Sequence, residues 1–207
     1  MQLFGEQSTP LIGIDISSAA VKVLQLSKSA GRYRVEHYGV EPLPPNSVNE
    51  KNIAQVEVVG AAIRRAIAKS GCKSKFAAVA VSGSSVITKV ITVTGGLDEA
   101  AMEQQVFDEA SNHIPYQMDE VSIDYEILGP VANTDSVQVM IAAARTENVE
   151  ARQAALEHAG LAAKVVDVEV FAIENAFKLI YSQLGVPAGG LTAIVDIGAN
   201  LTTLHII

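Results

Sequence analysis

A chain of 207 residues, 49% hydrophobic and 18% charged, carries enough apolar surface to bury a core and is no disordered tail. Fifteen Lys and Arg against twenty-three Asp and Glu leave a formal charge of −8, the wrong sign for holding nucleic acid by phosphate neutralisation. No run approaches the roughly eighteen uninterrupted apolar residues of a membrane span, residues 1–10 lack the apolar core of a signal peptide, and the lone Cys72 can close no internal disulfide, so a cytoplasmic location is expected.

Residues 11–15 form a short apolar run that ends in Asp15. After the turn Ser17-Ser18-Ala19-Ala20, residues 21–26 are β-rich, which predicts a hairpin whose turn faces a site. Residues 33–40 alternate as a third strand, and Pro42, Pro44 and Pro45 then break regular structure. Ile53, Val56, Val59, Ile63 and Ile67 recur at helical spacing, with Arg64, Arg65 and Lys69 near the negative end of the helix dipole and Gly71 as the stop.

The β-branched runs 76–81 and 86–93 flank a Ser82-Gly83-Ser84 turn. Asp98 is placed as an N-cap, Leu97 and Met102 are spaced as a hydrophobic staple, and the helix so opened must end before Pro115. Residues 121–127 alternate as a half-buried strand, and 137–144 supply its return. Thr146 caps a helix carrying Val149, Leu156 and Ala159 that stops at Gly160, and 164–168 form another strand. The stretch 86–168 therefore reads β-α-β-β-α-β and is expected to stand apart from the main sheet. Ile173, Phe177, Ile180 and Leu184 follow at helical spacing before Gly185 and Pro187, and 192–196 with 202–207 make a second acid-ended hairpin. The order of parts implies an α/β architecture with two related half-sites facing a cleft. The chain ends inside an apolar strand, so a second lobe is expected to be missing.

The chemistry resides in the two hairpins. At the first, amides and hydroxyls of Ser17 and Ser18 surround a phosphate, Lys22 supplies positive charge and Asp15 holds hydrated magnesium. The second, Asp196-Ile197-Gly198-Ala199-Asn200, repeats the arrangement, with Gly198 permitting close backbone approach. Two opposed acids can share one metal-bound nucleotide. Structural readings stand beside these: Lys22 as a solvated strand residue, Glu169 as a charge at a helix start, and each acid-ended hairpin as an ordinary tight turn. His37, His113, His158 and His205 lack metal-ligand spacing, and the acids between Glu99 and Glu126 describe a solvated face.

Leu11-Ile12-Gly13-Ile14-Asp15, with Ser18, Val21 and Lys22, resembles the first phosphate motif of the actin, Hsp70 and sugar-kinase superfamily, and 196–203 resembles its second. The insert's position is similar to that of the SHS2-type subdomain in the cell-division protein FtsA and in the PilM family of type IV pilus proteins. Asp167-Val168-Glu169-Val170-Phe171-Ala172, followed by Asn175-Ala176, is closer to PilM. The resemblance implies an actin-like (ribonuclease H-like) subdomain IA at 1–85 and 169–190, an inserted subdomain IC at 86–168, and the opening of a second lobe at 191–207.

By the same resemblance the cofactors are ATP and magnesium. Asp15 and Asp196 are the magnesium-side acids, Ser17, Ser18 and Lys22 meet phosphate together with Gly198, Ala199 and Asn200, and Glu169 stands near the attacking water. Adenine-binding loops belong to the second lobe, which implies weak or absent ATP binding here and a slow ATPase at most. The sequence departs from the family at Ser17, where glycine is usual. The implied role is a cytoplasmic scaffold or ring component that grips the amino-terminal peptide of the membrane protein PilN, meets other pilus-platform proteins and reaches the bacterial inner membrane through a partner. Three further readings of the same residues stay open: an FtsA-like filament protein, a small-molecule kinase, and a nucleotide-free module whose acids only form turns.

Overall fold

The structure, a computed structural model, describes residues 11–181, 184 and 191–207; residues 1–10 and the expected helix stop at Gly185 and Pro187 lie outside the described residues. In chain order the first elements are β1 (Leu11–Ile16), β2 (Ala20–Ser29), β3 (Arg32–Pro42), β4 (Val48–Asn49), β5 (Asn52–Ile53), α1 (Val56–Ser70) and β6 (Phe76–Val81). Then come β7 (Val86–Thr94), α2 (Glu99–Ser111), β8 (Val121–Pro130), β9 (Ser136–Arg145) and α3 (Thr146–His158). The last are β10 (Ala162–Val168), α4 (Glu169–Ile180), β11 (Ala193–Ile197) and β12 (Thr202–Ile206). The chain divides into two compact units, 1–82 with 150–207, and 83–149.

The larger unit is built on a mixed five-stranded sheet of order β10-β6-β1-β2-β3. Alternation along β1 turns Ile12 and Ile14 inward and leaves Leu11, Gly13 and Asp15 exposed, the period-2 pattern of a strand with one covered face. Ile12, Ile14, Val21, Val23, Ala77 and Val79 join Val59, Ala62, Ile63 and Ala66 of α1 in one buried cluster. Burying each large aliphatic side chain of this set contributes about 1.5–3 kcal/mol. Helix α1 exists because its apolar residues repeat on one face. It ends because Gly71 adopts φ 71°, a left-handed cap that costs glycine nothing, and returns its N–H to Ile67 O at 3.1 Å.

Two glycines set how closely α1 is packed. A Cβ on Gly39 of β3 would lie 2.6 Å from the Ala66 carbonyl oxygen, and one on Gly60 would lie 2.5 Å from His158 Cβ of α3. No side chain fits either place, so helix and sheet, and helix and helix, meet backbone to backbone. Near the open end of α1, the buried Glu41 carboxylate accepts from Arg65 Nε at 2.6 Å and from Lys69 Nζ. These two hydrogen bonds, Lys69 first, hold Glu41 below the usual carboxylate range against the opposing effect of burial.

The smaller unit is an antiparallel sheet of order β7-β9-β8 covered by α2. Ile91, Val93, Met102, Val106, Ala110, Ile114, Val139, Ile141 and Ala143 form its core. Asp98 caps α2 as expected, its carboxylate accepting from Ala101 N–H at 2.8 Å.

Two expectations are corrected. The separate unit spans 83–149 rather than 86–168, and its strand order is three-membered. Strand β10 leaves it and pairs in parallel with β6, Val166 opposite Val79 and Val168 opposite Val81. The reason is the free edge of β6: its buried Ala77, Val79 and Val81 need a second neighbour, and β10 supplies one. Ile53, counted as the first helical residue, instead lies in β5 opposite Val48, because the helix starts only at Val56.

Candidate functional site

The first hairpin carries four of the expected residues, Asp15, Ser17, Ser18 and Lys22. Asp15 and Lys22 are cross-strand partners on the exposed face of β1 and β2, joined by an ion pair of 2.9 Å with both side chains about half exposed. The Asp15 hydrogen bond and charge raise the Lys22 ammonium above its ordinary value against partial burial, and the charge of Asp196 adds to them.

Ser17 closes the turn. Its N–H and hydroxyl donate to Ala20 O at 3.0 and 2.9 Å, and its oxygen accepts from Ala20 N–H at 3.3 Å. Its hydroxyl is therefore committed to the backbone, and Ser18 beside it is half-buried in the same turn. In the second hairpin Asp196 pairs with Thr203, and Gly198 N–H donates to Leu201 O at 2.9 Å. A Cβ at Gly198 would come within 2.8 Å of that same oxygen, so the turn needs glycine irrespective of any ligand. Ala199 and Asn200 are exposed at its tip.

Glu169 is the first residue of α4, where a carboxylate favours the helix dipole. It does more than that. Glu169 Oε2 accepts from Lys51 Nζ at 2.7 Å, with the two side chains only 22% and 19% exposed. Arg152 of α3, 3% exposed, donates from Nε to Ala80 O at 2.7 Å and from a terminal nitrogen to Lys51 O at 2.9 Å. Burial lowers the Arg152 pKa and the charge of Glu169 opposes that shift. Lys51 and its neighbour Glu50 form the two-residue turn between β4 and β5 at φ 68° and 46°. Such left-handed conformations cost non-glycine residues on the order of 1 kcal/mol each.

Lys51 and Arg152 were not singled out by the sequence. Glu-Lys is not the Asn-Gly signature of such a turn, so the hairpin gave no local signal. Arg152 did give one. Val149, Arg152 and Leu156 share a face of α3 by their spacing, and a charged residue on that apolar stripe is one that needs buried partners.

Among the described residues no cluster of three or more His, Cys, Asp or Glu is arranged to hold a metal. A magnesium ion needs fewer protein ligands than such a cluster, since one or two carboxylates can hold it with water and phosphate completing its shell. No described helix is long and apolar enough to cross a membrane.

A mixed sheet with an acid at the end of its first strand, a second acid-ended hairpin and a separate α/β insert define the actin-like class of α/β folds. Two solved structures share the architecture. In one, titled as the PilM-PilN type IV pilus biogenesis complex, a chain matches with TM-score 0.78 and 28% identity over 95% of this chain. The other is the cytoplasmic domain of EpsL, an inner-membrane component of the type II secretion system of Vibrio cholerae, matched with TM-score 0.52 and 12% identity over 95% of this chain and 71% of that one. The family model described as type IV pilus assembly protein PilM matches residues 13–207, and the chain belongs to that family. It spans 57% of the solved chain in the pilus biogenesis complex.

Proposed function

We propose that this protein is an ATP-binding scaffold of the type IV pilus inner-membrane platform, in which a nucleotide cleft governs which surfaces are offered to partners. The observation that carries the nucleotide reading is the 2.9 Å ion pair of Asp15 and Lys22 at the end of the first strand, to which the charge of Asp196 adds. An ammonium paired with a strand-end acid is a preformed charge balance that a magnesium–triphosphate can replace: the metal takes the acid and the phosphate takes the ammonium. Lys22 is exposed enough to swing from carboxylate to phosphate without breaking the sheet. Ser17 stays with the backbone, so phosphate contacts come from the Ser18 region, Lys22 and the Gly198-Ala199-Asn200 turn. Glu169 is the residue proposed to meet the attacking water, with turnover slow.

The proposed partner is the amino-terminal peptide of a PilN-type protein, which places the scaffold on the cytoplasmic side of the inner membrane through that partner. Family membership and the likeness to a chain of the PilM-PilN type IV pilus biogenesis complex support this reading. Other platform proteins and further copies of the scaffold are proposed as additional contacts.

Two measurements test the proposal on the full-length protein. Calorimetry with magnesium-ATP is expected to give saturable heat that Asp15→Ala removes; equal heats from both proteins would reduce the acids to turn formers. Fluorescence anisotropy with a labelled PilN-type amino-terminal peptide is expected to show saturable binding, and a flat titration by folded protein would reject the scaffold role.

A further inference from the structure

Beyond the acids and phosphate contacts, we infer that Lys51 is a positioning residue for Glu169: the β4–β5 turn exists to hold an ammonium against that carboxylate and fix its direction. The inference rests on the reading of Glu169 as the water-side carboxylate, and it deepens that reading by assigning a control over it.

Three observations converge. The Lys51–Glu169 contact, at 2.7 Å, joins residues 118 apart in sequence, with both side chains largely out of solvent. An ion pair on an open surface is worth little, but one withdrawn from water with a short hydrogen bond fixes geometry. Second, the turn that carries Lys51 is costly. Glu50 and Lys51 both sit at positive φ without being glycine, and the neighbouring Asn52 Oδ1 is buried with no hydrogen-bond partner among the described residues. A turn built for economy would place Asn-Gly here. Third, Arg152 locks the turn in place from behind: buried itself, it ties the Lys51 carbonyl to the Ala80 carbonyl at the end of β6. Strand β10 lies beside that end, Asp167 opposite Ala80, and Glu169 follows two residues later. Arg152 thus keeps the Lys51 backbone and the Glu169 helix start at a fixed separation.

The charged groups facing Glu169 are Lys51 from the turn and Arg152 from α3; the adjacent Asp167 carboxylate is engaged with the Val168 N–H at 2.7 Å. Lys51 donates to one carboxylate oxygen at 2.7 Å and so fixes the direction in which the other is offered. A carboxylate so held can orient a water molecule. Any movement that withdrew the β4–β5 turn would release that orientation.

The test compares wild type, Lys51→Met and Lys51→Arg of the full-length protein. The Glu169 carboxyl is followed by carbon-13 NMR across acid pH and assigned by its loss in Glu169→Gln. Its midpoint is expected to move up in Lys51→Met and to return toward wild type in Lys51→Arg. An unmoved midpoint in a Lys51→Met protein that melts like wild type would overturn the inference. Should Lys51→Met fail to fold, Lys51→Gln serves in its place; collapse of every neutral variant, with Lys51→Arg folded but its midpoint displaced as far as theirs in residual spectra, makes the residue merely structural. A parallel measurement of magnesium-ATP binding keeps the two readings apart: no nucleotide binding by wild type sinks the nucleotide site, while the NMR midpoint still decides Lys51. Where wild type does bind and turn over ATP, the acid limb of its pH profile is expected to shift upward in Lys51→Met with affinity altered by no more than about twofold.

Discussion

In the hairpin of β1 and β2, Ile12, Ile14, Val21 and Val23 are between 0% and 5% exposed, whereas in that of β11 and β12, Val195, Ile197, Leu204 and Ile206 are between 56% and 79% exposed. Both hairpins end a strand in aspartate, both turn within a few residues, and both acids act on Lys22. What separates them is neighbours. The first has β6, β3 and α1 around it, so its Asp15 is presented by a rigid base; among the described residues the second is a two-stranded sheet held by its own ladder and its Gly198 turn. An acid-tipped turn is thus a local property of sequence, while the stiffness with which the acid is held is a property of packing.

Substitutions made in pairs break or sharpen this contrast. The largest effect is expected in the first hairpin: Ile12→Ala removes a fully buried side chain and should cost about 3–4 kcal/mol in urea unfolding of the larger unit, whereas Ile197→Ala should stay within about 0.5 kcal/mol. Comparable losses at the two sites would show the second hairpin to be packed as well. Next, Gly39→Ala drives a Cβ against the Ala66 carbonyl and should destabilise by about 2–3 kcal/mol, since neither α1 nor β3 can retreat. Gly198→Ala makes an equally close contact with Leu201 O in the exposed turn, yet there the loop can open, and about 1 kcal/mol is expected.

A pH series adds a smaller effect confined to the first region. Glu41 has its pKa depressed by Lys69 and Arg65, so its contribution to stability is present above the ordinary value of 4.5 and is lost as pH falls through the depressed value of the folded state. The thermal stability of Glu41→Gln should therefore fall below that of wild type at neutral pH and meet it in acid; a gap that persists at low pH would assign the loss to packing instead. Smallest of all is the contribution of Lys22. Its raised pKa stabilises the fold fully below the ordinary 10.5 and loses that effect as pH climbs through the folded value, so wild type and Lys22→Met should converge in strong alkali.

Strands, helices and caps could be read from local pattern. The Asp98 cap and the Gly71 stop fall where hydrophobic spacing and capping chemistry put them, and α3 and α4 begin at Thr146 and Glu169. Partnership could not. Strand β10 looks like the close of an insert because the elements before it run β-α-β-β-α, yet which sheet it joins depends on the open edge of β6, more than eighty residues earlier. The candidate site divides in the same way. Asp15, Lys22 and Asp196 announced themselves through repeated turns, while Lys51 and Arg152 enter through contacts that no window of sequence contains, one from a strained turn and one from a helix face. The Ser17 hydroxyl, expected at a phosphate, donates to Ala20 O within its own turn.

Cys72 follows directly on the Gly71 cap, 7% exposed, with its Sγ donating to Gln25 Oε1 of β2 at 3.2 Å. Being the sole thiol, it makes the molecule carry its own stopwatch. A maleimide or disulfide reagent can reach that sulfur only when the exit of α1 lifts from the sheet, so the labelling half-life counts those openings, and intact mass reads the count without any added probe.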